Sequence, residues 1–231
     1  AETVAAAMIA EDASGVNGAQ TITTTNDGTV GSVSLTFAEA NALLNGTADA
    51  SQTGTGAADV TVTGTISLDQ ASDVLGTTYD VVDDAATVAG AITAGNAEVN
   101  GAASITTNGG AVSLSFADAD SLLNGNDVAP AQTGSVASDV TVTDDISVAQ
   151  AFDVLGATYD ISDTAETVAA AMIAEDASGV NGAQTITTTN DGTVDLSFAE
   201  ADALLNGTTD ASQTGTGAAD VTVTGTISVA E

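Results

Sequence analysis

The segment AETVAAAMIAEDASGVNGAQTITTTNDGT fills residues 1–29 and returns unchanged at 165–193. A third start, AATV, lies at residue 85. The 231 residues therefore divide into repeats 1–84, 85–164 and 165–231. The last lacks the Q-A-x-D-V-L-G-x-T-Y-D segment that closes the first two. Such self-similarity constrains the fold more than any other feature. Each repeat must form the same supersecondary unit, and a unit this small buries too little apolar surface to stand well alone. The chain starts at Ala1 inside the pattern, with no initiator Met and no signal-peptide pattern, which reads as an excerpt or a processed product.

Within each repeat a smaller theme recurs, a short alternating strand followed by a short capped helix. In TYDISDTAETVAAAMI, Tyr159 and Ile161 alternate with Asp160 and Ser162, a strand pattern. Asp163 and Glu166 then read as a capping box, and Ala165, Val168, Ala169 and Met172 form one helical face. In VSLSFADADSLLNG, Ser115 and Asp118 start a helix that Asn124-Gly125 ends in the left-handed conformation glycine tolerates. In DVTVTDDISVAQAFDVLG, Ser147 and Gln150 make another box, ahead of the stripe Val148, Ala151, Phe152, Leu155. The strand AQTITTT at 19–25 and the turn NDG at 26–28 read as a hairpin with a glycine bulge, and the polar stretch 47–59 reads as a surface loop.

Strands alternating with helices predict an α/β fold with a mainly parallel sheet. One arrangement is a continuous solenoid of short strands and short capped helices. The alternative is a string of α/β domains of about 80 residues, the spacing of the second and third starts.

The chain has 32 acidic residues and no Lys, Arg or His, a formal net charge of -32. No side-chain ion pair can form, and nothing can neutralise phosphates, so nucleic-acid binding is excluded. The charge repels itself and calls for salt or bound cations, as in seawater or at a cell exterior. Disorder is not expected, because 43% of the residues are apolar and recur with regular periods. There is no Cys and no apolar run long enough to span a membrane.

The motifs YDISDTAETVAAA (159–171) and DVTVTDDISVAQAFDVL (139–155) resemble tandem repeats of very large, acidic, secreted bacterial surface proteins, adhesin-like and haemolysin-like. The resemblance implies a secreted or cell-surface location and a non-enzymatic, repetitive segment, often calcium-associated. The glycine- and aspartate-rich nonapeptide that binds calcium in such proteins is absent, so its calcium binding is not carried over.

No His, Cys or Lys is present to serve as base or nucleophile partner, and the acids recur at cap and surface positions. No enzyme activity and no required cofactor are expected. The candidate metal ligands are Asp80 with Asp83 and Asp160 with Asp163, whose oxygens suit Ca²⁺. The competing reading is that Asp83 and Asp163 cap helices. Asn45-Gly46-Thr47 and Asn206-Gly207-Thr208 fit the glycosylation pattern, against plain helix capping by Asn-Gly. The expected function is a structural segment of an extracellular surface or fibre-forming protein: spacer, stalk, adhesin or filament. Alternatives are a self-assembling filament or surface-layer subunit and a ligand-binding module of an adhesin. The expected partners are neighbouring repeats or further copies, with a glycan or cell-surface molecule as the remaining candidate and no membrane insertion.

Overall fold

A computed structural model describes residues 1–9, 21–24, 33–46, 51–53, 55–125, 129–174, 177–190, 193–207, 212–217 and 220–225. The fold is α/β. Strands and short helices alternate, and every strand pairing among the described residues is parallel. Two compact units form, one from Ala1–Gly109 with Gly125–Gly134, the other from Gly110–Asn124 with Ser135–Glu231. The units are out of phase with the repeats that begin at 85 and 165.

The first unit holds a five-stranded sheet of β2 (Val33–Leu35), β4 (Val60–Ile66), β5 (Thr78–Asp84), β6 (Ser104–Asn108) and β8 (Gln132–Thr133), in that order. Helix α1 (Glu2–Ile9) packs on α2 (Phe37–Asn45), which follows β2. Helix α3 (Leu68–Asp73) follows β4, and α4 (Ala85–Thr93) and α5 (Ala97–Asn100) follow β5. A two-stranded sheet pairs β1 (Thr21–Thr23) with β3 (Ser51–Thr53).

The second unit repeats the plan. Its five-stranded sheet runs β7 (Val112–Leu114), β9 (Val140–Ile146), β10 (Thr158–Asp163), β11 (Thr185–Thr188), β13 (Ser212–Thr214). Helices α6 (Phe116–Asn124), α7 (Val148–Ala151), α8 (Ala165–Ile173) and α9 (Ser178–Asn181) connect them. Helix α10 (Phe198–Asn206) packs on α8, and β12 (Val194–Ser197) pairs with β14 (Val221–Thr224).

Side-chain alternation builds the core. On β4, Val60, Val62 and Ile66 are buried while Thr61, Thr63 and Thr65 are not. Tyr79 and Val81 on β5 and Ile105 on β6 continue that face, and Val88, Ala89, Ile92 and Val99 pack from α4 and α5. Asp80, Ser104 and Thr106 fall on the opposite, polar face. Each large apolar side chain buried this way contributes about 1.5–3 kcal/mol.

Three times along the chain, four successive strands pair in alternation. β1 takes β3 while β2 takes β4; β6 takes β8 while β7 takes β9; β11 takes β13 while β12 takes β14. At the middle crossing the partners belong to different units, so the chain passes between units three times, after Gly109, Asn124 and Gly134.

This interlace corrects two expectations. The turn at 26–28 lies outside the described residues, but its second copy begins at Asn190, between β11 and β12. Those strands sit in separate sheets and form no hairpin. Both edges of β11 are already taken by β10 and β13. The polar stretch 47–59 is not only a loop, because Ser51–Thr53 is a strand. Its counterparts carry no apolar alternation; backbone pairing and hydroxyls hold them. Thr107 Oγ1 donates to Gln132 Oε1 (3.1 Å), and Thr188 Oγ1 donates to Thr214 O (3.2 Å).

A glycine permits this approach. Gly134 has φ 112°, and a Cβ there would overlap Thr107 O. Gly134→Ala is expected to cost about 2 kcal/mol or more. The loss should be seen as faster hydrogen exchange at the β6 amides that face β8. Unchanged exchange there would remove the role assigned to this glycine.

Candidate functional site: acidic side chains at the helix starts

A parallel sheet brings helix N-termini, with their unpaired N–H groups, close to the C-terminal ends of strands. In many α/β proteins an anion binds there. Here the chain's own carboxylates do so. Asp83, near the end of β5, accepts from Leu68 N at the start of α3 (3.0 Å). Asp163, at the end of β10, accepts from Val148 N at the start of α7 (3.0 Å). Asp144 accepts from Phe116 N at the start of α6 (2.9 Å).

Asp83 and Asp163 thus serve the preceding helix, 15 residues back, rather than the helix they lead into. The expected box of Asp163 with Glu166 is corrected. Helix α8 is capped by Thr164, whose Oγ1 accepts from Thr167 N (3.2 Å), while α4 is capped by Asp84, which accepts from Thr87 N (2.9 Å). Glu166 instead accepts from Asn190 Nδ2 (2.9 Å), and Asn190 Oδ1 accepts from Ala165 N (2.5 Å). The sequence marks Asn190 only as the start of a turn and not as a helix-start partner, since that partner lies 25 residues away. Ser147 closes its box with Gln150 as read, Ser115 starts α6 by accepting from Asp118 N (3.3 Å) and donating to the Asp118 carboxylate (2.8 Å), and Ser197 closes a further box with Glu200.

The remaining candidate ligands are also engaged. Asp80 Oδ1 accepts from Ser104 Oγ (2.5 Å), and Asp160 Oδ1 accepts from Thr185 N (3.0 Å) and Oγ1 (2.6 Å). Odd spacing along a strand puts Asp80 and Asp83 on opposite faces, as the alternation of side chains requires. Among the described residues no three acidic, His or Cys side chains converge on a point that would hold a metal.

The electrostatics follow from these donors. Hydrogen bonds from the Thr36 backbone and hydroxyl hold Glu39 below the usual carboxylate range. The Thr87 hydroxyl and amide do the same for Asp84, the Asn190 amide for Glu166, and the Ser197 hydroxyl and amide for Glu200. With no cationic side chain in the sequence, N–H and O–H dipoles are the positive ends available to these carboxylates. Burial pushes the phenols of Tyr79 and Tyr159 up, with Glu98 adding to the effect at Tyr79.

The Asn-Gly pairs use their glycines in two ways. Gly125 is left-handed (φ 72°) as read, whereas Gly46 and Gly207 are extended, with φ -59° at each. A Cβ on Gly46 would overlap Ala42 O and the Met8 methyl. The side-chain amide of Asn45 donates to Asp73 O, and that of Asn124 to Asp153 O (2.6 Å), tying the helix end to the next turn. Thr47 and Thr208, the third residues of the two glycosylation patterns, lie outside the described residues.

One cleft, of about 220 Å³, opens in the first unit beside Leu68, Ser72, Thr87, Asn96 and Glu98. In the second unit Phe152 stands where the first has Ser72, and its ring lies against Gly179, 3.3 Å from the place of a Cβ. No helix among the described residues is long and apolar enough to cross a membrane. Compared with protein-family models, with curated proteins and with solved structures, the chain shows no match.

Proposed function

We propose that this chain is a structural segment of a tandem-repeat protein at the cell surface or in a fibre, working as a spacer or stalk and not as an enzyme. The observation that carries this reading is the interlace. A bead on a flexible linker meets its neighbour through one passage of chain, whereas here the chain passes three times between the two units. A pull on one unit then loads paired strands of the other. The acids support the same reading: those named above are engaged at caps and strand ends. We read the finer architecture as a string of interlaced α/β units rather than one continuous solenoid, because among the described residues the two larger sheets each hold five strands. Cations act mainly as a screening atmosphere, and the partners are neighbouring repeats.

The test is a cut. A protease site placed between Gly125 and Ala129 divides the chain so that each fragment carries strands of the other's sheet. The cleaved fragments are expected to stay together in size-exclusion chromatography and to part only in denaturant. Fragments that separate in buffer would sink the load-bearing reading. Surface labelling of intact cells with an antibody to the repeat checks the location, and a specific hit on a glycan array would favour the adhesin's ligand-binding module instead.

A further inference from the structure

Six Asn-Gly pairs lie among the described residues, at Asn45, Asn100, Asn108, Asn124, Asn181 and Asn206. An Asn followed by Gly can close on itself, because glycine has no Cβ to block its nitrogen from the side-chain carbonyl carbon. The fold decides which pairs are free to do so. Asn100 and Asn181 end short helices, and the nitrogens that would attack, Gly101 N and Gly182 N, donate to Ala97 O (2.9 Å) and Ser178 O (3.1 Å). Asn45, Asn124 and Asn206 end longer helices. Their amides donate one turn back, to Asn41 Oδ1 (3.1 Å), Asp120 Oδ1 (2.7 Å) and Asp202 Oδ1 (3.0 Å).

Asn108 is held by neither device. It ends β6 opposite Asp84 on β5, and Gly109 lies beyond the ladder. Its side chain is exposed and has no hydrogen-bond partner among the described residues. The second unit shows why. It reads T-T-T-N at 187–190 where the first reads T-T-N at 106–108. The added Thr189 carries Asn190 past the end of β11, where Oδ1 accepts from Ala165 N (2.5 Å) and Nδ2 donates to Glu166 (2.9 Å). In the first unit Asn108 stays on the strand, and Ala86 stands where the second has Glu166. Gly110 follows Gly109, so neither residue after Asn108 restricts the rotation that brings Gly109 N onto Cγ.

We propose that Asn108-Gly109 is a self-modification site, at which the Gly109 nitrogen displaces ammonia from the Asn108 side chain. The bond from Gly109 N to Asn108 Cγ forms and the Cγ–Nδ2 bond breaks. Solvent hydroxide takes the Gly109 amide proton, solvent protonates the leaving nitrogen, and ammonia departs. Water then opens the cyclic imide at either carbonyl, giving aspartate or isoaspartate. Each product adds a negative charge to a chain with no cationic side chain, and isoaspartate also lengthens the backbone by one carbon. The chain first passes between units after Gly109, so the change marks the age of the molecule at that passage. The chemistry needs only the unheld amide and not the load-bearing role, so each fails by its own experiment.

The intact chain is incubated at mildly alkaline pH, in buffer and in concentrated urea. It is then cut at Asp and Glu, since it has no Lys or Arg. Mass spectrometry reads amide-to-acid conversion at each Asn, and an isoaspartyl methyltransferase labels the isomer. In buffer Asn108 should convert at least about tenfold faster than each of the other five Asn. In urea the six rates should converge. Gly109→Ala should slow conversion at Asn108, and Asn108→Gln should abolish it at that position, because the larger ring closes far more slowly. Conversion at any of the other five as fast as at Asn108 in buffer, a rate order that survives in urea, or an Asn108 rate unchanged by Gly109→Ala would each overturn the proposal.

Discussion

Tyr159→Ala should cost the second unit about 4 kcal/mol, the range for deleting a buried aromatic side chain. The ring is 1% exposed on β10, the central strand of its sheet, and its hydroxyl reaches Gly179 O at 2.8 Å. The turn after α9 is shaped to that hydroxyl, since a Cβ on Gly182 would come within 2.5 Å of it. Truncation removes the apolar contacts and leaves a carbonyl without its donor. Tyr159→Phe isolates the second effect and should cost about 1–2 kcal/mol. Against a domain stability of about 5–15 kcal/mol, the alanine variant should move the urea midpoint far more than the phenylalanine variant. Equal midpoints for the two variants would mean that the ring is not the keystone of this sheet.

A rise in melting temperature of about 10 °C or more is expected between roughly 10 mM and 0.5 M NaCl at neutral pH, as the screening length falls from about 30 Å to a few ångströms. The cause is the net charge of -32, which the folded chain concentrates and the unfolded chain spreads. Calcium and sodium at equal ionic strength should differ little if cations screen rather than dock at Asp80, Asp83, Asp160 and Asp163. A large specific gain with calcium would restore those residues as ligands.

The response to acid should then depend on salt in sign. Glu39, Asp84, Glu166 and Glu200 have folded pKa values below their ordinary ones. The unfolded state therefore binds protons first, and the stability these groups contribute, present above the unfolded value, is lost as pH falls through the folded one. In high salt, descent below about pH 4.5, the ordinary glutamate range, should lower the melting temperature. In low salt the same descent also relieves repulsion across the remaining carboxylates as they lose their charge, so the melting temperature should first rise. Parallel falls in both salts would show that repulsion between carboxylates does not govern the stability of this chain.

The local grammar of this chain was legible because it acts over three or four residues. Ser147 with Gln150 and Ser197 with Glu200 close their boxes as spacing requires. The alternation around Tyr159 and Ile161 gives a strand with those residues inward. At Asp163 the same grammar failed by one position. Thr164 took the cap, and the carboxylate was drawn to the helix on its other side, a choice between two N-termini that no local pattern contains.

From the sequence alone came the repeat, the parallel α/β class and the absence of any cationic side chain to partner the acids, since each follows from residue type and short-range period. Only the tertiary structure decided that β11 turns away from β12, that the polar Gln-Thr segments are edge strands, and that successive strands interlace. Those outcomes depend on which edges are already occupied. Edge occupancy is a property of strands brought together from 15 to 30 residues apart, and a period read along the chain does not carry it.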